Sequence, residues 1–332
     1  MHIARWDLDK TYLRTEFDTI RDLLRTAFER PDEKRTNPGA ATMLREMVRA
    51  GVSVHILSGS PEQMRSRLED KLRLDGIKWD SFTLKPNLQN ILRLRFRALR
   101  DQLGYKLPAL LRSRALVKPE EFEARRETLF GDDAEADAFV YSLYADLVTG
   151  KVDVSTLERI CEGGRLYEDV TRNILDFASV LPHANVVERI LIHLERQSAP
   201  EDFQVYGGRV VPFYNYLQAA FVVHEDGRLP SEAVLRVAVE LVIQHRFDGD
   251  RLARSYLDVA RRGHLRGIKI DDLARALESW GHKELVPGSG ELTTMLARLP
   301  AHADVARREY REPEAIVPDY DRLVHAHNRR RR

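Results

Sequence analysis

The sequence predicts an α/β protein, in which a doubly wound parallel sheet over residues 1–150 is followed by an all-α domain over residues 151–325 and a basic tail over residues 326–332. In the first part, short apolar or β-branched stretches alternate with stretches of helical periodicity, which favours a parallel sheet with right-handed crossovers. After about residue 150, helical periodicity continues from one helix breaker to the next. The length of 332 residues suits about two domains.

The elements of the first part follow in chain order. The stretch "HIARW" predicts a first strand, and residues 15–31 carry apolar side chains at helical spacing. "NPGAATMLREMVRAG" predicts a helix that Asn37 caps and Gly51 ends. "VSVHILSGS" predicts a buried strand, after which Ser60 is expected to cap the next helix. "RRETLFGDD" predicts a further strand that runs into acidic residues.

Six stretches of the second part predict helices, because their apolar residues recur at helical spacing. They are "LYEDVTRNILDFASVL", "NVVERILIHLERQ", "VPFYNYLQAAFVV", "SEAVLRVAVELVIQHRF", "RLARSYLDVARRG" and "IDDLARALESW". They show no repeat of fixed period, so a solenoid is not indicated. The ending "HNRRRR" is typical of a frayed, solvated terminus.

Composition limits the class of protein. Charged residues make up 32% of the chain, and the formal net charge of +1 gives no overall reason to expect a nucleic-acid partner. The single cysteine, Cys161, excludes an internal disulfide and a multi-cysteine zinc site, so a buried, inert thiol is expected. No apolar run approaches the roughly 20 residues of a membrane span. Because Asp7 comes too early for a signal peptide, a cytoplasmic location is expected.

Polar residues follow each of the three best predicted strands. These residues are Asp7-Leu8-Asp9-Lys10-Thr11, then Ser58-Gly59-Ser60, and then Gly131-Asp132-Asp133 with Asp137 shortly after. Ligands of parallel sheets bind outside the carboxyl ends of the strands, so neighbouring strands would bring these groups around one crevice. Burying carboxylates is costly unless they are paired or bound to metal, and Mg²⁺ prefers carboxylate and phosphate oxygens. The pattern therefore predicts phosphoryl transfer, in which a carboxylate can serve as the nucleophile.

The order and content of these motifs resemble the haloacid dehalogenase (HAD) superfamily of phosphatases over about residues 1–150. The motif Asp-x-Asp-x-Thr is matched by Asp7, Asp9 and Thr11. A strand ending in Ser or Thr is matched at Ser58, and the final Gly-Asp-Asp or Gly-Asp-x(3–4)-Asp motif is matched from Gly131 to Asp137. The remaining motif is a lysine at the start of the helix before the last strand. Lys106 is the preferred match for it, and Lys85 is the competing one.

The resemblance implies a role for each matched residue. Asp7 would attack phosphorus, and Asp9 would protonate the leaving oxygen and then deprotonate the hydrolytic water. Lys106 would be the catalytic lysine and would hold the phosphoryl group together with Ser58. Gly59 and Thr11 would also hold this group, although Thr11 is as easily a structural tie within its loop. The implied Mg²⁺ ligands are Asp7, the Leu8 carbonyl, Asp9, Asp132, Asp133 and Asp137.

Two stretches, "ILSGSP" and "LFGDDAEADAFVYSLYADL", are similar to the catalytic domain of the actin-patch-associated phosphatidate phosphatases. Those proteins also have a serine-proline pair, and a Gly-Asp-x-x-x-x-Asp followed by an aromatic-rich helix. This chain departs from them at Lys10, where they usually have an acid, and at Asp133, where they usually have Ser. These differences argue against a lipid substrate, and they do not affect the residues expected to carry out the HAD chemistry.

Several alternatives stay open at the level of sequence. The chain could be an interaction protein with a weak or vestigial HAD domain, in which the helical half is the binding surface. The basic segment 91–114 could contact an anionic surface, which would suit a phosphatase acting on nucleic acid or phospholipid, or it could be a solvated helix face. The phosphorylated substrate itself is of unknown class, and the helical half could serve as a lid over the site.

Overall fold

The computed structural model describes residues 1–14, 35–85, 99–281, 287–313 and 316–329. One six-stranded parallel sheet runs through it in the order β3-β2-β1-β4-β5-β6. The strands are β1 His2–Trp6, β2 Ser53–Pro61, β3 Ser81–Lys85, β4 Arg126–Asp132, β5 Val187–His193 and β6 Val210–Phe213. From β1 the strand order runs through β2 to β3 at one edge of the sheet, and from β4 it runs through β5 to β6 at the other edge. The topological switch point therefore lies between β1 and β4.

Helices cover both faces of this sheet within the described ranges. They are α1 Ala40–Arg49, α2 Arg65–Leu74, α3 Leu99–Ala115, α4 Asp137–Val148, α5 Val154–Gly163, α6 Glu168–Val180, α7 Tyr216–Glu225, α8 Ser231–His245, α9 Gly249–Arg261, α10 Ile270–Gly281, α11 Ser289–Glu309 and α12 Tyr320–Arg329. The predicted α/β class with a parallel sheet is therefore confirmed. No helix in these ranges combines the length and the apolarity that a membrane crossing requires.

Two apolar cores lie on opposite faces of the sheet. Successive residues of a strand point to opposite faces, so Phe130 and Leu191 join the core under α1, α2 and α7 to α11, whereas Leu129 and Ile190 join the core under α3 to α6 and α12. Strands covered on both faces have nearly continuous apolar runs. Trp6 stacks on Phe130 with ring centroids 3.8 Å apart, next to the carboxyl ends of β1 and β4.

The prediction of an all-α second part is wrong for two segments. Residues 185–197 contain β5 rather than a helix, and the stretch from residue 211 contributes to β6 before it turns into α7. Both strands extend the sheet across the predicted boundary at residue 150. The reason is that β5 is buried on both faces, so its apolar run lacks the period of two that distinguishes a half-buried strand from a helix.

The predictions for the other elements have mixed outcomes. Strands β1, β2 and β4 and helices α1, α6, α8, α9 and α10 form where the sequence predicts them. The predicted helix over residues 15–31 lies outside the described residues. Gly51 ends α1 with a φ of +80°, as expected, but neither Asn37 nor Ser60 caps a helix. Residues 327–329 of the ending that was predicted to be frayed continue α12, and residues 330–332 lie outside the described residues.

Cys161 is buried, as the sequence predicts. Burial raises the pKa of its thiol to about 12. A thiol held in its neutral form is a poor nucleophile, so the inert role fits the structure.

Candidate metal centre

Three strand ends meet at the switch point of the sheet. Strand β1 lies between β2 and β4, and Trp6 is in register with Ile56 on one side and Phe130 on the other. The backbone N–H of Asp7 donates to the Phe130 carbonyl at 3.0 Å, which carries the pairing one residue beyond β1. The polar residues that follow β1, β2 and β4 therefore lie around one crevice, as the sequence predicts.

Four carboxylates converge in this crevice. Asp7, Asp132, Glu135 and Asp137 each have an oxygen within 4.8 Å of the corresponding oxygens of the other three. Asp7, Asp132 and Asp137 are buried, and Glu135 is partly buried. Carboxylate oxygens are the ligands that hard divalent cations prefer, so this cluster could hold a metal ion.

Lys106 is the cation beside this cluster. Its Nζ lies 3.0 Å from Oδ1 of Asp7, 2.9 Å from Oε2 of Glu135 and 2.5 Å from Oδ1 of Asp137. Burial opposes the charge of Lys106, but Asp137, Asp7 and Glu135 together hold its pKa well above the ordinary value. Lys106 is therefore a fixed positive charge on α3. With all four acids ionised, one ammonium leaves three negative charges in excess.

Burial and mutual repulsion disfavour the ionised forms of these carboxylates. Burial raises the pKa of Asp7 well above its ordinary value, and Lys106 opposes that rise while Asp137 adds to it. Burial, with Glu135 and Asp137 adding to it, also raises the pKa of Asp132. Burial raises the pKa of Glu135 to about 7. A divalent cation would relieve this repulsion, because ligand carboxylates bind metal in their ionised form.

Oδ1 of Asp7 is buried, and its partner among the described residues is the ammonium group of Lys106 at 3.0 Å, which Glu135 and Asp137 share. The neighbouring acids are oriented by the backbone. Oδ1 of Asp132 accepts from the N–H groups of Ala134 at 2.6 Å and Glu135 at 3.0 Å, and Oδ2 of Asp137 accepts from the N–H of Asp132 at 3.2 Å. Four carboxylates that share one buried ammonium group still repel one another, and oriented carboxylate oxygens are the ligands of hard divalent cations. The residues present therefore fit a hard cation.

Asp9 points away from the four-acid cluster and toward β2. Its Oδ2 accepts hydrogen bonds from the hydroxyls of Ser58 and Ser60, each at 2.9 Å. Ser60 therefore orients Asp9 in place of its predicted capping role. Gly59, between the two serines, has open space where a side chain would project.

Three side chains bind the backbone of the loop after β1, a role that the sequence did not predict for them. Asn37 donates from Nδ2 to the carbonyls of Lys10 and Thr11, each at 2.8 Å, and Tyr216 donates to the Thr11 carbonyl at 2.5 Å. His193 Nδ1 lies 3.2 Å from the Lys10 carbonyl. These contacts hold Lys10 at a φ of +61°, a left-handed conformation that is uncommon for a residue with a side chain.

Thr11 links the two halves of the acid cluster. Its hydroxyl lies 3.3 Å from Oδ2 of Asp7 and 3.4 Å from Oδ2 of Asp132. It is fully buried, which fits the structural alternative for this residue better than contact with a substrate.

Three predicted metal ligands lie outside the cluster: Asp9, which binds Ser58 and Ser60, Asp133 and the Leu8 carbonyl. Asp133 accepts from the backbone N–H groups of Arg196 at 2.8 Å and Ser198 at 3.1 Å, so it supports the loop after β5. The Leu8 carbonyl already accepts from the N–H groups of Tyr12 and Leu13, at 3.0 and 2.8 Å. The fourth carboxylate is instead Glu135, which the sequence signals only by its place in the turn between Asp132 and Asp137.

Only residues 99–114 of the basic segment are described, and they lie in α3. Lys106 and Arg114 are fully buried in ion pairs, whereas Arg100 and Arg112 reach solvent. The described part of this segment is therefore neither a continuous anion-binding surface nor a wholly solvated face.

Comparisons of the chain with protein-family models, with curated proteins and with solved structures found no match in any of the three. Inferences about function therefore depend on the geometry of the site.

Proposed function

We propose that this protein is a Mg²⁺-dependent phosphomonoester hydrolase of the HAD type, which works through an aspartyl-phosphate at Asp7. The observation that carries the proposal is the buried carboxylate of Asp7 in contact with Lys106, within a four-carboxylate cluster at the switch point of the sheet. This combination supports the proposal, because a carboxylate, a cation and several acids that could bind a metal lie together at the edge where parallel sheets bind their ligands.

Asp7, Asp132, Glu135 and Asp137 would hold the Mg²⁺ ion. All four offer carboxylate oxygens, and a partly open site suits an ion that keeps several waters. When bound, the ion would neutralise charge on the phosphoryl oxygens and on the carboxylates around it.

Asp7 is the proposed nucleophile. Its carboxylate oxygen would form a bond to phosphorus while the ester oxygen leaves, which gives an aspartyl-phosphate and an alcohol. Lys106 favours the ionised form of Asp7, and the contact with Thr11 orients its Oδ2. Lys106 would also stabilise the charge on the transferring group, as a fixed cation that needs no reorganisation.

Asp9 is the proposed general acid and base. Two serine hydroxyls hold its Oδ2, so Oδ1 can carry the proton. Asp9 would give that proton to the leaving alkoxide and would then take one from the water that attacks the aspartyl-phosphate. Gly59 lies between these two serines, and its backbone N–H would hold a phosphoryl oxygen.

The test is phosphate release from an aryl phosphate with Mg²⁺ and with a chelator, for the wild type and for Asp7→Asn. Asp70→Asn on exposed α2 is the matched control. We expect turnover that requires Mg²⁺, is lost in Asp7→Asn and is unchanged in Asp70→Asn. A wild type that neither turns over the ester nor forms a Mg²⁺-dependent beryllofluoride adduct would contradict the proposal.

A further inference from the structure

We infer that Lys85 binds a second anionic group of the substrate, so that the preferred substrates are phosphomonoesters that carry another phosphate or a carboxylate. This inference depends on the proposed phosphatase function, and it names the substrate class of the same site. It gives a role to the lysine that the sequence placed in competition with Lys106 and that the four-acid cluster does not use.

Lys85 lies at the same edge of the sheet as the acid cluster. It is the last residue of β3, and it is in register with Pro61 at the end of β2, beyond a register shift between Ser58 and Pro61. Strand β2 separates β3 from β1, and Asp7 is level with Thr83, so Lys85 stands about 12 Å from Asp7 at the usual strand spacing and rise.

A lysine side chain reaches about 6 Å beyond its Cα atom. The ammonium group of Lys85 therefore stays about 6 Å or more from the backbone of Asp7, so it is placed for a second anion rather than for the phosphoryl group itself. Lys106 already occupies the position next to Asp7. Lys106 would thus contact the reacting phosphoryl group, and Lys85 would contact a second anionic group of the substrate.

Lys85 has no directly contacting acid among the residues that the structure describes. Its side chain is partly buried, and it makes no hydrogen bond or ion pair with any residue in the described ranges. Burial lowers the pKa of Lys85, and the carboxylates of Asp101 and Glu135 oppose that shift. Since Glu135 belongs to the acid cluster, the charge of Lys85 acts within the same crevice. A partly desolvated ammonium without a partner is stabilised when a ligand supplies the anion.

Other cations stand on this edge of the sheet. Arg14 and Arg35 follow the loop after β1 and are joined by a backbone hydrogen bond of 2.9 Å, and Arg196 follows β5. All three side chains are exposed, and none of them pairs with an acid among the residues that the structure describes. The crevice therefore has an acidic floor and cations at its rim, which favours an anionic substrate over an uncharged one. Lys85 differs from these arginines because it is partly buried and lies near Glu135.

The experiment compares two esters of matched length, butane-1,4-diol bisphosphate and butyl phosphate, as substrates in the presence of Mg²⁺. For the wild type we expect kcat/KM for the bisphosphate to exceed that for the monophosphate about tenfold or more, as for a charge-assisted hydrogen bond. In Lys85→Gln the ratio should fall to about two, because the bisphosphate offers two equivalent esters. Lys85→Arg should keep the preference, and Lys118→Gln, at an exposed lysine before β4, should leave it unchanged.

The inference is overturned if the wild type shows no preference with spacers of two, four and six carbons, or if Lys85→Gln keeps the preference. Calorimetric binding of the same esters to Asp7→Asn separates this inference from the proposed function. Absence of turnover in the wild type would reject the phosphatase, while tighter bisphosphate binding that needs Lys85 would still support the anion site. Equal affinities for the two esters would reject the anion site, whatever the turnover.

Discussion

The ammonium nitrogen of Lys106 lies 3.0 Å from Oδ1 of Asp7, and both side chains are fully buried. The two residues are 99 positions apart in the chain, and they meet because α3 packs against the sheet where β1 ends. Lys106 is the cation in contact with a cluster of four carboxylates. Within the described residues, Lys106 is the positive charge in direct contact with these carboxylates.

Lys106→Met removes the charge and keeps most of the side-chain volume. We expect the turnover of an aryl phosphate to fall by about a hundred- to a thousandfold, because a preorganised cation next to the reacting group is lost. We also expect the free energy of unfolding to fall by about 3 kcal/mol in chelator at neutral pH, since buried carboxylates lose their partner. Lys118→Met is the exposed control. Activity within tenfold of the wild type would exclude Lys106 from the site.

Glu135→Gln tests the fourth carboxylate. We expect the affinity for Mg²⁺, measured by calorimetry, to fall about tenfold or more, while Glu120→Gln on the surface leaves it unchanged. Because the pKa of Glu135 is raised to about 7, its proton must leave as the metal binds. The affinity of the wild type should therefore rise from pH 6 to pH 8, and this rise should be shallower in Glu135→Gln. An equal slope in the two proteins would place Glu135 outside the metal site.

Asp9→Asn tests the general acid and base. We expect turnover of an alkyl phosphate, which has a poor leaving group, to fall by about a hundred- to ten-thousandfold. With an aryl phosphate the leaving group needs no proton, so formation of the aspartyl-phosphate should survive while its hydrolysis is slow. The measurement is then a burst of aryl alcohol of about one equivalent per site. Similar losses for both esters without a burst would assign Asp9 a structural role.

Glu127 is the acid of a buried ion network at β1, β4 and α3, and its replacement tests how much this network stabilises the protein. It accepts from Arg5 at 2.7 and 2.9 Å, from Arg114 at 3.2 Å and from Tyr144 at 2.9 Å. Glu127→Gln should lower the free energy of unfolding by about 3 to 5 kcal/mol, because two buried guanidinium groups lose their counter-charge. Urea denaturation measures this loss. Adding Arg114→Met should recover part of it, and a purely additive double variant would argue against the coupling.

His2 should make stability depend on pH. Burial lowers the pKa of His2 to about 4, against an ordinary value of 6.5, and Glu188 only partly offsets this effect. Between these values the unfolded chain binds a proton that the folded protein does not, so acidification favours unfolding. The free energy of unfolding should fall by about 2 to 3 kcal/mol more in the wild type than in His2→Gln between pH 6.5 and 4.5. Parallel curves for the two proteins would contradict this assignment.

The strands that carry the site could be predicted because their signals are local. Strands β1, β2 and β4 each combine an apolar run with polar residues at the carboxyl end, and strands separated by helices lead to a parallel sheet. Strand β5 could not be distinguished in this way. It is buried on both faces, so its pattern of apolar residues does not reveal its period.

The direction of individual side chains was decided by packing. Asp132, Asp133 and Glu135 are adjacent acids in one turn, and only contacts with Lys106 and with the loop after β5 show that Asp133 turns away. Asn37 and Ser60 have the local signature of helix caps, but Asn37 supports the loop after β1 and Ser60 binds Asp9. A capping residue and a site residue offer the same polar atoms, so a local pattern cannot tell them apart.

The sequence by itself determined that a parallel sheet ends in carboxylates and serines at three strand ends, since short-range pattern and chain handedness control those features. Tertiary structure alone decided which of those groups share one crevice. It placed Lys106 against Asp7 and left Lys85 two strands away, because the position of a buried charge depends on packing between segments far apart in the chain.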